Sequence, residues 1–204
     1  NTLLAGERFN GFGNDHGTAV VGILGGLQNA YGITGIVHGA DHRVSGMFFG
    51  GGYNSANSII QTSNNASSGD VILLEMQTGV PSSAALPPCP AGCSCPGIGA
   101  RYVPMEYYRA NYDAIATATA NGRIIVLTAG NGFNDLDWFT PANTGGTLPG
   151  YPLGNPFNRS LYDSGAIYVG AGFSGMGSFT PPRSPHCYSN HGTRIDVQGI
   201  GDNV

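Results

Sequence analysis

Apolar and polar positions along the 204-residue chain fall into blocks with either helical or extended spacing. From His16 onward, Val20, Ile23, Leu24 and Leu27 recur at three- and four-residue steps, which predicts a helix with one apolar face. Asp15 stands just ahead as a cap, its charge suited to the positive end of that helix. No strand is expected before it. Residues 43–49 read as a short apolar strand and 55–63 as a weak helix. Asp70 then leads into 71–76, a mainly apolar run of the kind that fills a buried parallel strand. A loop rich in Pro, Gly and Cys follows to about Val103. Pro104 opens the clearest helix, with Met105, Tyr108, Tyr112, Ile115 and Thr119 on one face and Gly122 as its stop. Residues 124–128 and 166–170 are further buried strands, and 195–197 a last one.

Strands and helices in this alternation imply right-handed crossovers and an α/β fold. The expectation is a three-layer domain, with a mostly parallel sheet flanked by helices on both faces. No internal repeat or boundary divides the pattern, so residues 1–204 are expected to form a single domain. Ligand sites in such sheets gather at the carboxyl ends of the strands. Glu75-Met76-Gln77 and Ala129-Gly130-Asn131 both fall there.

Composition narrows the classes. Hydrophobic residues make up 41% and charged residues only 10%, which excludes a disordered tail and a coiled coil. The net charge is −4 and all eight basic residues are arginine, so no basic face invites nucleic acid. No apolar run approaches the roughly 20 residues that cross a bilayer. Cys89, Cys93, Cys95 and Cys187 are an even set in a Gly-rich, charge-poor chain. That suggests an extracellular protein with up to two disulfides in one of three connectivities. Zinc is the weaker alternative, because Cys-x3-Cys-x-Cys is not a usual ligand spacing. Sequons at Asn65 and Asn158 fit a secreted chain as glycosylation candidates.

Candidate chemistry begins with His16 and Asn131. A lone histidine at a helix start is most often a cap or a surface residue, and an asparagine in Gly-Asn-Gly a turn residue. Their company changes the weighing. Asp15-His16-Gly17-Thr18-Ala19-Val20-Val21-Gly22 resembles the histidine motif of the subtilisin family of serine endopeptidases. Thr128-Ala129-Gly130-Asn131-Gly132 resembles that family's oxyanion-asparagine motif. Three supporting stretches keep the family's order: 35–40 (Gly-Ile-Val-His-Gly-Ala), 70–74, and Ser189-Asn190-His191-Gly192 with 195–199.

The resemblance implies that His16 is a general base, taking a proton from a serine hydroxyl and returning it to the leaving amine. It implies that Asn131 donates its amide to the oxyanion of the tetrahedral intermediate. It further implies that the backbone of Glu75, Met76, Gln77 and Thr78 pairs with protein or peptide substrates as an added strand, with Ala129 and Gly130 forming the other wall of the specificity pocket. Gln77 departs from the family, which usually carries glycine there, and its bulk is expected to narrow or re-aim the pocket. No cofactor is required for the chemistry. Bound calcium, common in the family, would draw on loop acids such as Asp135, Asp137 and Asp163.

Two parts of the triad have no match. Glu7 and Asp15 are the only acids before His16, and Asp15 is too close to orient it. Gly192-Thr193-Arg194 is not the serine motif, and Ser178 and Ser184 lack its flanking residues. The stretch therefore resembles the central portion of a subtilisin-like catalytic domain, without its aspartate and serine segments. Such a piece is expected to expose apolar surface, covered by the remainder of its own domain or by another chain. The alternative is a non-catalytic scaffold or binding module with the same fold.

Overall fold

A computed structural model describes residues 2–6, 14–87, 101–145, 148, 150–176 and 181–202. By contacts the chain forms two compact units, residues 1–66 and 67–204, and each is described by itself.

In the first unit, β1 (Thr2–Ala5) pairs in parallel with β2 (Arg43–Ser45). The expectation that no strand precedes the histidine helix is thus corrected: four residues of TLLA supply β-compatible backbone and find a partner some forty positions on. Between them runs α1 (Asn14–Gly25), and Asp15 lies inside its first turn rather than at a cap. Its charge still stands at the positive end of the helix. Leu27 falls beyond the helix end and is 74% exposed, so the expected four-residue face is shorter. The Gly25-Gly26 pair ends the helix, and the chain folds back so that Ile36 N–H donates to Ile23 O at 2.9 Å and Val37 N–H to Leu24 O at 2.8 Å.

The single strand expected over 43–49 is two strands. β2 ends at Ser45, and β3 (Phe48–Phe49) turns through Gly50-Gly51 to pair antiparallel with β4 (Gly52–Tyr53). α2 (Ser55–Asn65) follows, capped by the Asn54 side chain accepting from Asn57 N–H at 3.0 Å. It buries Ser55, Ser58, Ile59 and Ser63, a small-residue face that allows close packing.

The second unit is built on a four-stranded parallel sheet in the order β10-β9-β8-β5. Its strands are β5 (Val71–Leu74), β8 (Ile124–Thr128), β9 (Ile167–Gly172) and β10 (Val197–Ile200). Every neighbouring pair is parallel. A short antiparallel pair, β6 (Gln77–Gly79) with β7 (Tyr102–Pro104), stands where a loop is expected. Three-residue strands containing Gln-Thr-Gly carry no alternating signal, which is why the pattern misses them.

The helix expected from Pro104 starts later. Pro104 closes β7, Met105–Tyr107 forms a 3-10 turn, and Tyr108 is extended at φ −95°, ψ 125°. α3 then spans Arg109–Ala120 and buries Asn111, Ala114, Ile115 and Ala118. Ile115 is thus the one core-facing helical position shared with the expected face; Tyr108, Tyr112 and Thr119 are half-buried. Gly122, at φ +82°, stops the helix as expected. The last strand is shifted: Asp196 N–H donates to Tyr168 O, and the sheet pairing begins at Val197.

Residues in register share a face of a parallel sheet. Ile72, Leu74, Ile125, Leu127 and Tyr168 lie on the buried face, toward α3. On the opposite face, Val71, Leu73, Ile124, Ile167 and Val197 are 63%, 37%, 44%, 38% and 50% exposed. The run 71–76, expected to be buried on both faces, is therefore covered on one, and its strand ends at Leu74. Among the described residues, no helix is long and apolar enough to cross a membrane.

Candidate functional site

The carboxyl ends of β5 and β8 come together in the second unit. Thr128 Oγ1 donates to Met76 O at 2.9 Å, tying the end of β8 to the segment that leaves β5. Just beyond, the Asn131 N–H donates to Gln77 Oε1 at 2.7 Å. Glu75 is exposed, Met76, Gln77 and Thr78 are half-buried, and Ala129 and Gly130 are buried. One edge of β6 pairs with β7; the other pairs with no strand among the described residues. Asn131 is exposed, and its carboxamide has no hydrogen-bond partner among the described residues. An unbonded, exposed amide next to the Gln77 side chain can serve something that binds there.

The loop carrying Asn131 has a demanding backbone. Gly130 takes φ +83° and Phe133, buried and not a glycine, takes φ +58°. The left-handed region costs an ordinary residue about 1–2 kcal/mol. At Gly132 a Cβ would stand 1.9 Å from Tyr102 O, so only glycine lets the two chains approach this closely.

Asn190 holds this loop. Its side chain is 2% exposed and fully bonded: Nδ2 donates to Ala129 O at 2.7 Å and Tyr102 O at 2.9 Å, and Oδ1 accepts from Asn134 N–H at 2.8 Å and Gly132 N–H at 3.1 Å. Its own N–H donates to Gly130 O at 3.0 Å. The sequence pattern brings Asn190 forward only as part of a motif, without a role, because bonds spanning some sixty to ninety positions leave no periodic trace.

The second unit holds another buried group. Arg194 is fully buried, with Nη1 3.0 Å from Asp196 Oδ2 and Nη2 donating to Ala166 O at 3.0 Å. Asp196 Oδ1 also pairs with Arg159 at 2.5 Å, and Oδ2 accepts from Tyr168 N–H at 2.8 Å. Burial works to raise the Asp196 carboxyl, but the Tyr168 N–H and the two guanidinium groups outweigh it and hold its pKa below the ordinary value. Glu106, also fully buried, accepts from Ser164 Oγ at 2.5 Å; burial pushes its pKa up against that bond and against the Arg194 charge. Neither Glu106 nor Arg194 stands out in the sequence, where each reads as an ordinary helix or loop charge.

His16 belongs to the first unit, in the first turn of α1, exposed and without a hydrogen bond among the described residues. Cys89, Cys93 and Cys95 lie outside the described residues, as do Glu7 and Ser178. Cys187 is exposed and is a free thiol among the described residues. Both sequon asparagines are exposed; Asn65 ends α2 and donates from Nδ2 to Gln61 O, while Asn158 Oδ1 accepts from Ser160 N–H.

The three loop acids have local work. Asp135 Oδ1 accepts from Asp137 N–H at 3.0 Å, capping the 3-10 turn over Leu136–Trp138. Asp137 accepts from Thr193 through both the N–H and the hydroxyl, at 2.8 and 2.6 Å. Asp163 accepts from Gly165 N–H at 2.9 Å and faces Arg159 at 3.7 Å. Among the described residues, no group of three or more His, Cys, Asp or Glu side chains is gathered to hold a metal ion.

Compared with known proteins, the chain matches no family model and no curated relative.

Proposed function

We propose that this chain is the central portion of a subtilisin-like catalytic domain, in a three-layer α/β fold, and that the protein is a secreted serine endopeptidase. The observation that carries the reading is the unbonded, exposed Asn131 carboxamide, just past the end of β8, with its N–H on the Gln77 side chain of β6. In this reading an extended peptide pairs with the main chain of 75–78 and presents its carbonyl to Asn131 through main-chain bonds. Such pairing tolerates many sequences.

In the proposed reaction a serine hydroxyl attacks the peptide carbonyl while His16 takes its proton. An imidazole suits this because its unperturbed pKa lies near neutrality. The carbonyl oxygen becomes negative, and Asn131 donates to it more strongly than to the ground-state carbonyl. His16 then passes the proton to the leaving amine, and water repeats the sequence on the acyl-enzyme. The reading assigns no triad serine or aspartate within residues 1–204. Cover for the apolar sheet face by the remainder of the catalytic domain, or by another chain, belongs to the same reading, as do disulfides among the cysteines and a structural calcium ion.

The test is a fluorophosphonate probe applied to the natural protein that contains this sequence. Covalent labelling of one serine, abolished by His16→Ala, supports the endopeptidase. A folded natural protein that takes no label overturns it and leaves the non-catalytic scaffold.

A further inference from the structure

We propose that Asn190 is the positioning residue of this site, fixing the loop 129–134 so that the Asn131 amide is aimed at the reacting oxygen; the inference rests on the endopeptidase reading above. An amide side chain offers two N–H donors and two acceptor sites, and here all four are used. The orientation is unambiguous, because both neighbours of Nδ2 are carbonyl oxygens and both neighbours of Oδ1 are N–H groups.

What separates this from an ordinary buried brace is where the bonds end. None of the side-chain bonds ends on the segment around residue 190. Three reach the Asn131 loop, at Ala129, Gly132 and Asn134, and the fourth reaches Tyr102 on β7, the strand across from it. With the main-chain bond from Asn190 N–H to Gly130 O, four residues flanking Asn131 are fastened to one residue. Asn131 itself is touched by none of these bonds and keeps its carboxamide unbonded.

The loop needs that fastening. Phe133, held at φ +58° without being a glycine, stores strain that bonds from outside the loop must offset. Remove the amide and two carbonyls lose a buried donor while two N–H groups lose their acceptor. The loop then relaxes toward ordinary dihedral angles and carries Asn131 off its aim. Pairing of substrate with the main chain of 75–78 is little affected, so the loss appears in the chemical step.

The experiment uses the full-length natural enzyme with Asn190→Ala, Asn190→Asp, Asn131→Ala and the double variants, read as kcat and KM on one peptide substrate. Asn190→Ala is expected to lower kcat roughly tenfold or more with KM within about twofold. In the Asn131→Ala background the same change is expected to cost less than about twofold, because the amide it aims is gone. Asn190→Asp sets a carboxylate against two carbonyl oxygens, and only its protonated form can donate to one of them. Its kcat should therefore fall with rising pH across a range where the parent is flat. Effects of residues 190 and 131 that multiply, or a loss in Asn190→Ala that is mainly a rise in KM, overturn the proposal. If Asn190→Ala does not fold, Asn190→Asp at the alkaline end of that range, where its loss is largest, takes its place in the cycle, and multiplying effects overturn the proposal there too. A parent that takes no fluorophosphonate label removes the endopeptidase reading and this inference together; a labelled parent with multiplying effects removes the inference alone.

Discussion

The guanidinium carbon of Arg194 lies 3.7 Å from the centroid of the Tyr168 ring, and neither side chain reaches solvent. A cation over an aromatic face is held by the ring quadrupole, most strongly when both are dry. The planar fork does more, since it serves Asp196 and Ala166 O in the same pose. We expect Arg194→Met to cost about 3 kcal/mol, because a buried ion pair loses one partner while Arg159 still serves the other. Arg194→Lys should recover little, as an ammonium cannot bond both partners and stack at once. Denaturant midpoints of the two variants check this; a lysine variant equal to the parent would contradict it.

Glu106 and Asp196 pull stability in opposite directions with pH. The Glu106 carboxyl is raised by burial, so its contribution is complete below its ordinary pKa and is lost as pH rises through the raised value. The Asp196 carboxyl is lowered, so its contribution holds above its ordinary pKa and is lost as pH falls through the lowered value. Glu106→Gln keeps the shape and an acceptor for Ser164 while removing the charge. Thermal midpoints measured against pH should show a smaller decline in this variant as pH rises above the ordinary carboxylate range, and an unchanged acid limb. Parallel curves for parent and variant would mean that Glu106 is not the group involved.

Asn131→Ala is expected to lower kcat about 10²–10³-fold with little change in KM, a magnitude taken from subtilisin's own oxyanion asparagine rather than obtained from this site. Steady-state kinetics on a short peptide ester and its amide test it. A drop confined to KM would show that the amide binds substrate instead of stabilising the oxyanion.

Gln77 spans from β6 to the Asn131 loop through its 2.7 Å bond. In the proposed cleft it fills space that a glycine would leave open. Gln77→Gly should raise kcat/KM for substrates with a large side chain before the scissile bond by at least about tenfold relative to alanine there. Competition between paired peptides measures that ratio directly, and an unmoved ratio would take Gln77 out of the specificity wall.

Legibility in the sequence follows the kind of signal each element leaves. Residues 124–128 form an apolar β-branched run between a glycine stop and a small-residue turn, and β8 has those bounds. α2 is legible from its periodic small and apolar positions, although it runs to Asn65 rather than Ser63. The start of α3 is hidden because Pro104 serves equally as the last residue of a strand and the first of a helix. Tyr108 then has to be extended before α3 can begin. At the site, Asn131 and its neighbours are visible as a local motif. The Asn190 bonds, the Arg194 stack and the Glu106–Ser164 bond are not, since each joins distant segments through one side chain.

A single oxygen, Asn190 Oδ1, receives the amide hydrogens of both Gly132 and Asn134. When that one acceptor withdraws, both hydrogens are uncovered together. Their exchange with deuterated solvent should therefore show one common protection factor, as a single opening event, so that one slow amide reports on the other.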